Sequence, residues 1–145
     1  MKNSRIIFPL FFFLITLISC KKEKETNYSY YIINDSNYKI YLQNYSGGEM
    51  IEDITILPSD NFLKESNSRG FNDPKPPSFG DSIKVIFNDT IAITHGGTTY
   101  DVNRNIKNLE SYTGGSKETD SKHFILYEYE YIFTNDDYQE AVDNQ

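Results

Sequence analysis

The chain has 145 residues, with 14 basic against 21 acidic side chains, a formal net charge of −7, two His and a single Cys. An acidic chain without a basic patch argues against nucleic-acid binding and against electrostatic adhesion to anionic lipid head groups. One cysteine leaves no disulfide to form within the chain.

The N-terminus reads as an address. Lys2 and Arg5 form a short positive segment, and Ile6 to Ile18 is an uncharged apolar run broken only by Pro9 and Thr16. At about 1.5 Å per residue it spans roughly 20 Å, short of the ~30 Å hydrocarbon core, so it matches a signal peptide rather than a membrane span. Ser19 is small, as a signal-peptidase pocket requires, and the one cysteine follows at position 20. Leu17-Ile18-Ser19-Cys20 resembles the lipobox of bacterial lipoproteins. The resemblance implies cleavage before Cys20, a diacylglycerol group on its thiol and often an acyl chain on its new amine. A cleaved signal followed by a free thiol is the alternative reading. Residues 1–19 are then lost, leaving 126 residues and a mature charge of −9, since Lys2 and Arg5 go with them. Lys21 to Asn27 lacks periodicity, and residues 20–27 read as the lipidated cysteine with a flexible tether. The Lys/Glu content of this tether resembles segments behind the cysteine in surface-exported lipoproteins of Bacteroidota-type bacteria.

Residues 28–145 read as one all-β domain, large enough to bury a core. The chain has twelve Tyr, ten Phe and no Trp, and four of the Phe lie in the signal, so the domain is rich in Tyr, a strand former. Tyr28–Ile33 and Tyr38–Tyr45 flank the turn Asn34-Asp35-Ser36-Asn37. Ser46-Gly47-Gly48-Glu49 is the next turn, Met50–Leu57 a strand stopped by Pro58, and Asn61–Glu65 a short further strand. Ser66 to Gly80 holds three prolines and reads as a long, stiff connection with Phe71 and Phe79 pinning its ends. Asp81–Asn88 is a strand with Ile83, Val85 and Phe87 on one face. Thr90–Thr94 and Thr98–Val102 are strands around the turn His95-Gly96-Gly97. Arg104 to Gly115 is irregular with one helical turn near Ile106 and Leu109, and Gly114 to Lys122 is a loop.

His123–Thr134 is the longest strand. Ile125, Tyr127, Tyr129, Tyr131 and Phe133 share one face and Glu128 and Glu130 the other, a clear period of two. Thr134 with Asp137 three residues on marks a helix start, and Asn135–Ala141 a short closing helix. These elements predict a single antiparallel β-sandwich of seven or eight strands, Ig-like in general architecture, with a short C-terminal helix.

No motif for chemistry outranks a structural reading, so neither catalytic residues, metal ligands nor a cofactor are assigned. His95 and His123 are isolated and read as exposed turn residues; no nucleophile elbow and no zinc spacing accompanies them. The oxygens of Asn34-Asp35-Ser36-Asn37 and of Asp136, Asp137 and Glu140 lack EF-hand spacing and are explained by turn and cap chemistry. Glu128 and Glu130, about 7 Å apart on one strand face, read as solvated. Tyr127, Tyr129 and Tyr131, with Phe71 and Phe79, are the candidate ligand surface, as stacking platforms for sugars. Without Trp, the Tyr row reads first as core. Asp81-Ser82-Ile83 and Asp89-Thr90-Ile91 resemble the tripeptide O-glycosylated in Bacteroidota-type exported proteins, which makes Ser82 and Thr90 candidate modification sites. Segments 81–89 and 134–138 carry a wider resemblance to the small lipoproteins of such bacteria, which implies no activity.

The expected function is a membrane-anchored, non-enzymatic binding or accessory module of the cell envelope, on the outer membrane. Its expected partners are the membrane, through the lipid, and a glycan or an envelope protein. A hydrolase of envelope glycan or peptide, and an immunity or inhibitor lipoprotein that blocks an enzyme by inserting the proline-rich loop, are the alternatives.

Overall fold

The computed structural model describes residues 25–70, 74–96, 104–118 and 124–145. Eight strands run in the order β1 (Glu25–Asn34), β2 (Ile40–Ser46), β3 (Glu49–Ile56), β4 (Asn61–Arg69), β5 (Ser82–Phe87), β6 (Ile91–Gly96), β7 (Thr113–Glu118) and β8 (Phe124–Phe133). A 3-10 turn (Leu109–Ser111) precedes β7, and the helix α1 (Asn135–Asp143) closes the chain. The strands form two four-stranded sheets, ordered β4-β1-β8-β7 and β3-β2-β5-β6. This is the expected β-sandwich with its C-terminal helix.

One pairing inside it departs from the antiparallel rule. β1 and β8, the central strands of the first sheet, run parallel, with Tyr28 opposite Tyr127, Tyr30 opposite Tyr129 and Ile32 opposite Tyr131. In-register parallel pairing sets like side chains side by side on the inner face. Four tyrosines stack there as a two-by-two block: Tyr28 on Tyr127 at 5.3 Å, Tyr30 on Tyr129 at 5.7 Å, and Tyr127 on Tyr129 at 6.2 Å, with interplanar angles of 14° or less. Opposite them the second sheet contributes Ile40, Leu42, Ile56, Ile83, Val85 and Phe87, all buried. The alternation read in β5 and β8 therefore points inward as expected.

Two stretches expected as loops are strands. β4 continues to Arg69, because Ser66 to Arg69 pairs with Glu25 to Tyr28 along a β1 that itself starts three residues earlier than expected. Thr113 to Glu118 forms β7, an edge strand laid against Ile125 to Glu130. Neither stretch has apolar alternation; both take their conformation from the neighbouring ladder. The strand expected over 98–102 lies outside the described residues.

The two ends of the sandwich differ. At the helix end, buried Asn34 ties two turns together: its Oδ1 accepts from Ser36 N (3.0 Å) and Oγ (2.6 Å), and its Nδ2 donates to the Tyr38 (2.8 Å) and Ile56 (3.0 Å) carbonyls. Thr134 is the N-cap of α1; its backbone N–H donates to Asp137 Oδ2 at 2.7 Å, the capping arrangement read from the sequence. Tyr138 of α1 stacks on Tyr38 at 3.8 Å and meets Phe87 edge-on.

At the opposite end, where β1 begins, residues 74–81 cross the mouth of the sandwich. Tyr30 Oη donates to the Lys75 carbonyl, Pro77 is buried, and Gly80 N donates to Asn44 Oδ1 at 2.7 Å. Lys107 Nζ donates to the Gly80 and Asp81 carbonyls, and Asp81 N to the Tyr45 carbonyl at 2.6 Å. A Cβ on Gly80 would fall 2.0 Å from the Tyr45 carbonyl oxygen, so only glycine lets the backbones approach this closely. The described part of the proline-rich stretch is thus fastened to the domain.

Candidate functional site

The row read as core is core. Tyr131 is fully buried, Tyr129 is 7 % exposed, and half-buried Tyr127 stacks on Tyr129 and Tyr28 at the rim of the core. Burial first, and then the neighbouring tyrosines for Tyr129 and Asp137 for Tyr131, raises the pKa of both hydroxyls; Tyr30 is pushed up to about 12 by burial first and then by Tyr28 and Tyr129. These hydroxyls stay protonated and act as donors, Tyr131 Oη to the Arg104 carbonyl (3.3 Å) and Tyr30 Oη to Lys75. They offer no open platform for a sugar ring.

The other singled-out residues are dispersed. Phe79 is half-buried beside the core, with Lys64 Nζ 4.8 Å from its ring centroid. Thr90 is exposed in the β5–β6 turn, whereas Ser82 is half-buried at the start of β5. Cys20, Phe71 and His123 lie outside the described residues. Among the described residues no cluster of three His, Cys, Asp or Glu side chains is placed to hold a metal ion.

His95 corrects its reading as an exposed turn residue. β6 extends through Gly96, and its period of two carries His95 inward after Ile91 and Ile93, leaving it 3 % exposed. Its Nδ1 accepts the Ile106 N–H at 3.0 Å, which assigns the proton of the neutral ring to Nε2. Burial, and secondarily the charge of Arg104, push its pKa down to about 4. A sealed imidazole with an occupied nitrogen is no accessible base.

A pH dependence of stability follows from this burial. Between the ordinary His value of 6.5 and about 4 the unfolded chain holds a proton at this ring that the folded chain does not. His95 thus contributes its full stability above 6.5 and loses it as pH falls through that window. The slope is about 1.4 kcal/mol per pH unit, on the order of 3 kcal/mol across the window. His95→Asn keeps an acceptor for Ile106 N–H without titrating. Urea midpoints measured above and within the window should fall for the parent and stay level for this variant down to about pH 5, where carboxylates begin to titrate.

An open, polar concavity among the described residues sits at the end where β1 begins. Glu25, Asn27, Asn67, Ser68 and Arg69 line a depression of about 290 Å³ on the β1–β4 pair, with Glu25 opposite Arg69 and Asn27 opposite Asn67. A carboxylate, two carboxamides, a hydroxyl and a guanidinium supply donors and acceptors, with neither histidine nor cysteine among the lining residues. Isolated polar residues spread over a tether and a proline-rich loop carry no sequence signal for such a site; the β1–β4 register alone gathers them. Nearby, Lys64 of β4 bonds Glu52 of β3 at 2.9 Å and bridges the two sheets, while Asn44 Nδ2 donates to the same carboxylate at 3.3 Å.

No protein-family model, curated protein or solved structure matches the chain.

Proposed function

We propose that the chain is a lipoprotein of the bacterial cell envelope, anchored in the outer membrane through acylated Cys20, whose sandwich is a non-enzymatic binding or accessory module. The observation that carries this reading is Leu17-Ile18-Ser19-Cys20 at the end of an apolar run, with the first strand starting only five residues later, at Glu25. Each methylene of an acyl chain contributes about 0.8 kcal/mol of membrane affinity, and two or three chains hold a protein stably. The polar depression on β1–β4 supports a ligand-contact role toward a hydroxyl-rich partner such as a glycan, or toward an envelope protein. Hydrolysis has less support, because His95 is enclosed. An inhibitory loop also has less support, because residues 75–81 are fastened by Tyr30, Asn44 and Lys107.

Cys20→Ala is expected to leave a precursor of higher mass, still carrying residues 1–19 and without fatty-acid label. Equal labelling of variant and parent in cells fed a radioactive or clickable fatty acid would overturn the anchor.

A further inference from the structure

Among the described residues four large apolar side chains are well exposed: Met50 (51 %), Ile51 (58 %), Leu57 (52 %) and Leu63 (40 %). Two of them are consecutive and sit beside the turn that joins β2 to β3. A regular strand would turn one of two neighbours inward. Here the register slips between Asn44 and Tyr45, with Asn44 opposite Glu52 and Tyr45 opposite Met50, so that Ile51 has no residue across from it. This bulge leaves Glu49, Met50 and Ile51 all exposed. The hairpin therefore ends in an apolar tip on a sheet edge.

Strand direction places that tip. β1 starts at Glu25, the chain reverses through residues 35–39, and β2 returns to finish at Ser46. The Tyr45 carbonyl accepts from Asp81 N, in the same 74–81 segment that Tyr30 of β1 reaches at Lys75, so tip and strand start share one end of the sandwich. From Cys20 to Glu25 the chain spans at most about 18 Å. The ten residues of β1 extend for about 33 Å, so the far end lies beyond the reach of this tether. Leu57 sits at that far end, in the turn after β3.

We infer that Met50 and Ile51 seat in the surface of the bilayer that holds Cys20, as a second contact that orients the domain with its β2–β3 tip downward. This rests on the lipoprotein reading. The contact is apolar rather than electrostatic: Glu49 flanks the tip, the Asp81 carboxylate accepts from Gly47 N, and the domain as a whole is acidic, which disfavours attraction to anionic head groups. Short apolar side chains beside a lipid anchor suit the head-group boundary, where a few buried groups add to an existing attachment.

The test uses the full chain, purified from membranes in its processed form and reconstituted into phosphatidylethanolamine–phosphatidylglycerol vesicles. Acylation consumes the one native thiol, so Met50→Cys or Leu57→Cys introduces a single labelling site for an environment-sensitive fluorophore. The two positions are about equally exposed and lie at opposite ends. Emission at position 50 should shift to the blue and be mostly lost to nitroxide-bearing lipids, while emission at position 57 stays unshifted and unquenched. Identical, unquenched emission at both positions overturns the inference. A blue shift at 50 without lipid quenching also overturns it, since a second copy or a protein partner then covers the tip. Mass spectrometry of the same sample separates the two readings. An acylated Cys20 with an unquenched tip removes only the orientation, whereas an unmodified Cys20 removes the anchor and the orientation with it.

Discussion

Tyr131→Ala should lower the stability of the domain by about 3 to 5 kcal/mol, a large part of the 5 to 15 kcal/mol typical of a small domain. The ring is wholly buried. It meets Phe133 at 4.8 Å and Tyr112 at 5.4 Å, and the Arg104 guanidinium lies 4.6 Å from its centroid. Truncation opens a cavity, removes the donor to the Arg104 carbonyl and takes away the face against which that guanidinium rests. Arg104 in turn donates to the Ile132 carbonyl at 2.8 Å and pairs with the Asp137 cap at 3.4 Å, so the loss reaches the start of α1. Tyr131→Phe, which keeps the packing, should cost only about 0.5 to 1.5 kcal/mol. Urea midpoints of the chain lacking residues 1–20 measure both. A midpoint unchanged in Tyr131→Ala, together with loss of binding on a glycan array, would make the row a ligand platform instead of core.

The second large effect belongs to a polar residue. Asn34→Ala removes four side-chain hydrogen bonds from a wholly buried position and leaves Ser36 N, Tyr38 O and Ile56 O short of partners. Each buried group left unpaired costs about 1 to 3 kcal/mol. Ser36 Oγ already reaches the Tyr38 carbonyl at 3.3 Å and offsets part of that loss. The expected destabilisation is about 2 to 4 kcal/mol, at the upper end of what single substitutions do. Asn34→Asp should be no milder at neutral pH, because it keeps the acceptor but sets a carboxylate against the Tyr38 and Ile56 carbonyls. Thermal unfolding of the three chains checks the order. Parent-like melting of Asn34→Ala would mean that the turns around residues 35–39 and 57–60 hold without this hub.

Neither effect depends on the ligand, which separates what maintains the sandwich from what it meets. The polar depression and the Met50–Ile51 tip are surface features, where substitutions usually change stability by no more than about 0.5 kcal/mol. Loss of binding or of orientation there can be read without a folding correction.

The sequence by itself determined the elements whose signal is local. Period-two alternation marked the inner faces of β5 and β8, Gly47-Gly48 the β2–β3 turn, Asn34 to Asn37 the β1–β2 turn, and Thr134 with Asp137 the start of α1. These depend on neighbours two to four residues apart, which is the range over which a pattern in one chain can be read. The tertiary structure decided whatever depends on partners far along the chain. Thr113-Gly114-Gly115-Ser116 carries no strand signal and becomes β7 because Tyr127 to Glu130 offer it a ladder. Ser66 to Arg69 extends β4 for the same reason against β1. The parallel meeting of β1 with β8, about a hundred residues apart, stacks Tyr28 and Tyr30 on Tyr127 and Tyr129, and nothing in either strand alone specifies that direction. His95 beside Gly96-Gly97 looked like a turn and became core, since β6 stays paired for two more residues, through Gly96, and its alternation turns the ring inward.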